Sequence, residues 1–229
     1  MNKCIFLLGM VIFSLNSFGQ KKIVVRFENM ANGREIVLGD SLFENAFGEK
    51  YTVSKLKYYV SNISFMMNKI ENYQRGVFLV DQNKKNITPL TIKSGKILGI
   101  SFTIGVDSAL NCSGAQSGAL DPLNDMFWTW SNGYVMFKLE GKSDASLADN
   151  NRIEQHIGGY KGEFKTMRRV FLPINEKYFL KNNIITIQMN LDEYWNGIKI
   201  AESPVIATSG ALAKKAADNF VRMFSVKPK

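Results

Sequence analysis

Met126-Phe127-Trp128-Thr129-Trp130-Ser131-Asn132-Gly133-Tyr134-Val135-Met136-Phe137-Lys138-Leu139-Glu140 is the stretch whose reading decides the fold. Its two arms are rich in aromatic and β-branched residues, and Asn132-Gly133 between them favours the positive φ of a tight hairpin turn. Read as a two-residue hairpin, it sets Ser131 opposite Tyr134, Trp130 opposite Val135 and Trp128 opposite Phe137. Trp128 and Trp130, two positions apart, then share one face, which is the core face if the hairpin belongs to a sandwich.

Outward from this ribbon the same pattern recurs. Ile23 to Glu28, Tyr58 to Met66, Gly76 to Asp81, Ile97 to Ile104, Lys165 to Leu172 and Ile184 to Leu191 are short β-type runs with turn residues between them. That spacing predicts an all-β fold, an antiparallel β-sandwich. Helix is scarce. Ser41 to Phe47 reads as one short helix. The other is C-terminal and amphipathic: Ser209 can cap it, and Leu212, Ala213, Ala216, Phe220, Met223 and Phe224 form an apolar stripe that would close an open side of the sandwich.

The chain begins Met1-Asn2-Lys3, followed by an apolar run from Cys4 to Leu15 and then Asn16-Ser17-Phe18-Gly19. A charged start, a short apolar core and small residues before a cleavage point describe a secretory signal peptide, residues 1–19. Residues 20–229 are then a single domain, exported to the periplasm or the outer surface. No further apolar run is long enough to cross a membrane as a helix.

Composition excludes several classes. With 45% hydrophobic and 21% charged residues the chain is an ordinary globular one. Two cysteines, Cys4 and Cys112, make no disulfide scaffold, and one histidine, His156, excludes sites needing several imidazoles from one chain. The formal charge of +9 is spread in pairs such as Lys84-Lys85 and Arg168-Arg169, not in the clusters of a nucleic-acid surface. There is no phosphate-binding Gly-rich loop, no Gly-x-Ser-x-Gly and no His-Glu-x-x-His. A hydrolase could use His156 as base only with an acid or nucleophile within hydrogen-bond reach. Asp107, Asp121 and Asp125 read as turn residues, with calcium ligation the lesser alternative.

The densest patterning resembles the MbnP-like family, which includes copper-repressible exported proteins of CorA type. The resemblance is carried by Leu56-Lys57-Tyr58-Tyr59-Val60-Ser61-Asn62-Ile63, Gly105-Val106-Asp107 and Gly118-Ala119-Leu120-Asp121-Pro122. Met126-Phe127-Trp128-Thr129-Trp130 with Gly133-Tyr134, Lys138-Leu139-Glu140-Gly141, His156-Ile157-Gly158 and Ala217-Asp218-Asn219-Phe220 carry the rest. It implies a β-sandwich that binds copper and is not itself a catalyst. It implies a tryptophan oxidised to kynurenine, whose new amine can join the metal site, and a di-haem MbnH-like peroxidase partner that performs the oxidation. Trp128 and Trp130 match the motif; Trp195 lies outside it. His156 is the one imidazole available as a copper ligand, and Met126, Met136 and Cys112 are the soft donors that could complete the set. The alternative is a non-catalytic envelope module holding a glycan or protein ligand on exposed aromatics, Trp128, Trp130 or Trp195.

Overall fold

Alternation along the strands builds two layers. The computed structural model describes residues 20–68, 71–84, 86–93, 95–129, 133–174 and 183–228. In chain order these form β1 (Gln20–Ala31), β2 (Arg34–Glu35), β3 (Phe43–Glu44), β4 (Lys50–Met67), β5 (Glu71–Asp81), β6 (Ile87–Lys93) and β7 (Ile97–Ile104). Then come α1 (Ser108–Cys112), β8 (Phe127–Thr129), β9 (Gly133–Lys142), β10 (Arg152–Gly158), β11 (Arg168–Pro173) and β12 (Ile184–Asn190). The chain continues with β13 (Val205–Ile206), α2 (Ala211–Asp218) and β14 (Phe224–Val226). Residues 1–19, expected to be a signal peptide, lie outside the described residues.

One sheet has the order β14-β12-β1-β2, with β6 also on β1. The larger sheet has the order β11-β7-β4-β9-β10-β13, with β3 and β5 on β4 and β8 on β9. Ile23, Val25 and Phe27 of β1 and Ile185, Ile187 and Met189 of β12 point inward at every second position, as the strand period requires. They meet Leu56, Tyr58, Val60, Phe102, Phe137, Leu139 and Ile157 from the larger sheet in one core. Phe27 bridges the layers edge-on, its ring 6.3 Å from Tyr58 and 5.8 Å from Phe102.

The all-β sandwich expected from the runs is present, with two parallel pairs inside it, β1 with β12 and β10 with β13. Strands so far apart in sequence need no hairpin, so their direction is set by the path of the intervening chain. The C-terminal stripe closes the core with Ala213, Ala216, Phe220, Met223 and Phe224, joined by Ala217, whereas Leu212, expected in the stripe, is exposed at the start of the helix. It is shorter than the stripe suggests, because α2 gives way to a 3-10 turn at Asn219–Arg222 and Phe224 starts β14.

Three local expectations are corrected. Ser41 to Phe47 is not helical; Phe43 and Glu44 pair with Tyr51 and Lys50 as a hairpin. The Asn45 carboxamide oxygen accepts from the N–H groups of Phe47 and Glu49 and folds the turn that a helix would have replaced. Ser209 does not cap α2; the cap position is Gly210 and no side chain bonds there. The 126–140 hairpin has another register: Phe127 lies opposite Tyr134 and Thr129 opposite Gly133. Phe137 is instead aligned with Tyr58 and Ile157. Trp130, Ser131 and Asn132 lie outside the described residues.

Candidate functional site

The segment between β7 and β9 folds back over the outer face of the larger sheet and encloses a second apolar cluster. Tyr59, Val106, Leu120, Met126, Tyr134, Val135, Met136 and Tyr160 are buried there, with Phe127 and Trp128 packed against them. Gly105, at φ +117, turns the chain out of β7 so that the Val106 N–H donates to Met136 Sδ at 3.1 Å. Asp107 then caps α1 by accepting from Leu110 N–H at 2.9 Å. Inside the segment Asn111 is buried; its amide donates to the carbonyls of Val106 and Asp107, and its oxygen accepts from Tyr134 N–H at 2.8 Å. The Tyr134 hydroxyl donates to Leu120 O at 2.8 Å, and Asp121 accepts from Leu123 N–H at 2.9 Å. These contacts deliver Trp128 onto β10. A Cβ at Gly158 would lie 2.6 Å from Trp128 Cζ3, so only glycine lets the indole rest on the strand.

Two residues before Gly158, on the same strand, is His156. Its Nε2 is 2.9 Å from Glu140 Oε1 and its Nδ1 is 3.3 Å from Glu154 Oε1. Lys138 lies directly opposite it on β9. Lys138 Nζ is 3.0 Å from Asp125, and Lys55 Nζ is 2.7 Å from Asp125 and 3.1 Å from Glu140. Lys57 donates to Asn124 O at 3.0 Å and pairs with buried Asp81 at 3.4 Å. Three sheet lysines therefore hold the 124–125 turn, in which Asp125 adopts φ 60.

Charge is balanced within this patch. The bond with His156, aided by Lys55, outweighs burial and lowers the Glu140 carboxyl from 4.5 to about 2. Burial raises the Asp125 carboxyl, but the hydrogen bonds from Lys55 and Lys138 prevail and bring it from 3.8 to about 2. The same carboxylates hold Lys55 above its usual value against its desolvation. The sequence analysis assigns no site role to Lys55, Lys138, Glu140 and Glu154, although Lys138 and Glu140 belong to a motif of the family resemblance. Their signal was present as charged residues at i and i+2 in Lys55-Leu56-Lys57, Lys138-Leu139-Glu140 and Glu154-Gln155-His156, which puts each pair on one face of a strand.

The four copper-ligand candidates do not form one centre in the described chain. Both nitrogens of His156 face carboxylates. Met126 and Met136 are fully buried, and Met136 sulfur already accepts a backbone N–H. Cys112 is an exposed free thiol at the end of α1. Among the described residues no group of three or more His, Cys, Asp or Glu could hold a metal ion. Among the described residues the unmodified side chains thus do not fit a ready copper or calcium site. Nor is His156 placed as a general base, since a base needs one ring nitrogen for the substrate's proton. Of the two described indoles, Trp128 is half-buried, whereas Trp195 is wholly buried, its Nε1 without a hydrogen-bond partner among the described residues, and offers no platform.

Comparison with known families matches residues 20–209 to MbnP. The chain belongs to the MbnP family. Among solved structures the fold is similar to MbnP from Methylosinus trichosporium, with a TM-score of 0.66 and 14% identity, covering 92% of this chain and 99% of that one. Comparison with curated protein sequences finds no match. At this identity the structural likeness speaks for the MbnP fold alone.

Proposed function

We propose that this MbnP-family chain is an exported, non-catalytic protein matured by oxidation of a tryptophan to kynurenine by a di-haem MbnH-like peroxidase, and that the matured form binds copper. The observation that carries this reading is the placement of Trp128. Its indole is half-buried on Gly158, two residues along β10 from the only imidazole of the chain. An indole held rigidly near the surface can surrender electrons to a docked haem without entering it. In the oxidation the indole would give up four electrons to two molecules of peroxide, which are reduced to water at the partner's haem; the C2–C3 bond breaks as an oxygen from solvent enters at each carbon, and hydrolysis releases C2 as formate to leave an aryl amine.

That amine would add an aryl nitrogen donor to the one imidazole of the chain. His156 would be the imidazole donor, exchanging one of its carboxylate partners; copper in the divalent state suits such nitrogen and oxygen ligands. Met126 and Met136 are buried and would be soft donors only if the covering segment opens, whereas the Cys112 thiol is exposed at the end of α1. Trp130, two residues on, is the other candidate for oxidation. In this reading the protein acts in the periplasm or at the outer surface.

Protein purified from its own host tests the proposal by intact mass, peptide mapping and metal analysis. A kynurenine at Trp128 or Trp130 together with bound copper supports it. Absence of both, or oxidation confined to buried Trp195, overturns it.

A further inference from the structure

The outer face of the larger sheet carries a second polar region, on β4, β5 and β7, that the reading above does not use. Two clefts open there and share Asn62 and Tyr73. One, of about 690 Å³, is lined by Arg75, Asp107, Leu110 and Ser117 among others. The other, of about 420 Å³, is completed by Glu71, Thr103 and Arg169.

Asn62 sits at φ 53 in a β-bulge between Ser61 and Ile63, which turns its side chain out to this face. Its oxygen accepts from the Tyr73 hydroxyl, which leaves its amide N–H groups without an acceptor among the described residues. Tyr73 is 50% exposed as a residue and lines both clefts at their junction. Arg169 is anchored by Ser101 at 3.0 Å and by Glu71 at 3.5 Å. Arg75 forms no ion pair or hydrogen bond among the described residues, although it lines the larger cleft.

We infer that this groove is a binding site for an acidic saccharide, one carrying a carboxylate or a phosphate. An aromatic face flanked by planar amide, carboxylate and guanidinium groups suits a sugar ring, whose C–H surface packs on the aromatic while its hydroxyls both donate and accept. The unpartnered guanidinium of Arg75 matches the charged substituent in a bidentate geometry. The chain's net charge of +9 draws anionic ligands toward it. The smaller cleft is mostly polar, whereas the larger adds apolar lining such as Val77, Leu110 and Leu120, so packing of the sugar's C–H surface would act alongside hydrogen bonds and one charge contact.

Titration of the purified protein with a panel of uronic-acid oligosaccharides, phosphorylated oligosaccharides, their neutral counterparts and poly-glutamate tests this by calorimetry and side-chain NMR. Acidic sugars should bind and shift the Tyr73 ring signals, with neutral counterparts about tenfold weaker, the value of one lost charge-assisted contact. Which acidic arm binds tells carboxylate from phosphate. Arg75→Gln should erase the preference, Tyr73→Ala should remove binding, and Lys199→Gln, which deletes the same charge outside the groove, should change neither. The inference is overturned if no acidic sugar binds at millimolar concentration, if neutral sugars bind equally well, or if poly-glutamate binds as tightly as the sugars.

Discussion

Replacing Gly158 with alanine tests how the Trp128 indole is seated. The new Cβ would lie 2.6 Å from Cζ3 and 2.9 Å from Cη2 of the indole, and 3.0 Å from the Tyr134 carbonyl oxygen. Carbon atoms at rest stay about 3.5–4.0 Å apart, so the methyl group intrudes by about 1 Å. The Tyr134 oxygen belongs to the backbone of β9 and cannot yield, and a rigid bicyclic ring can only lift as a unit. Overpacking of this kind costs about 1–3 kcal/mol. For a domain of this size that lowers Tm by about 2–4 °C per kcal/mol. Urea unfolding followed by far-ultraviolet circular dichroism measures the stability, and 19F NMR of 5-fluorotryptophan-labelled protein reports each indole separately. The Trp128 resonance should move and the Trp195 resonance stay. Unchanged stability together with an unmoved Trp128 resonance would refute the seating of the indole on Gly158, and with it the observation that carries the proposed function.

The tyrosines divide by whether their hydroxyls are bonded. Tyr194→Phe removes a buried donor 2.8 Å from Gln155 Oε1 and should cost about 1–3 kcal/mol in urea unfolding. Tyr59→Phe removes a buried hydroxyl that has no partner among the described residues and should be neutral or stabilising in the same measurement. Glu140 and Asp125 both titrate lower in the folded chain than in the unfolded one, so ionisation favours the native state. Their contribution is complete above the ordinary values of 4.5 and 3.8 and is lost as pH falls toward about 2. His156→Gln should raise the Glu140 carboxyl toward its ordinary value in an NMR titration; an unmoved Glu140 would contradict the 2.9 Å contact. Asn111→Ala deletes the side chain that joins Val106, Asp107 and Tyr134, and thermal unfolding should show a loss of at least about 2 kcal/mol.

Much of the fold is legible in the chain because strand alternation is a local property. β1, β7 and β12 each place apolar residues at every second position, and a face that must leave water needs a second layer to bury it. β6 and β10 were not evident. Pro89 interrupts β6, which the structure accommodates opposite Val24 of β1. β10 has only Ile153 and Ile157 as large apolar residues, because its other face carries Glu154 and His156 into the polar patch. The resemblance to the MbnP-like family marked the ribbon around Trp128, and the family comparison agrees over residues 20–209.

What the sequence could not supply is how distant elements meet. The parallel pairing of β1 with β12 joins residues some 160 positions apart, such as Val24 and Ile184. The grip of Lys55 and Lys138 on Asp125, and of Glu140 and Glu154 on the two nitrogens of His156, exists only once β4, β9 and β10 lie side by side. Residue order alone therefore determined which surfaces must be hidden from water, since hydrophobic period is written in neighbours along the chain. The tertiary structure decided which charges neutralise one another and where the indole rests, because ion pairing and close contact depend on distance in space.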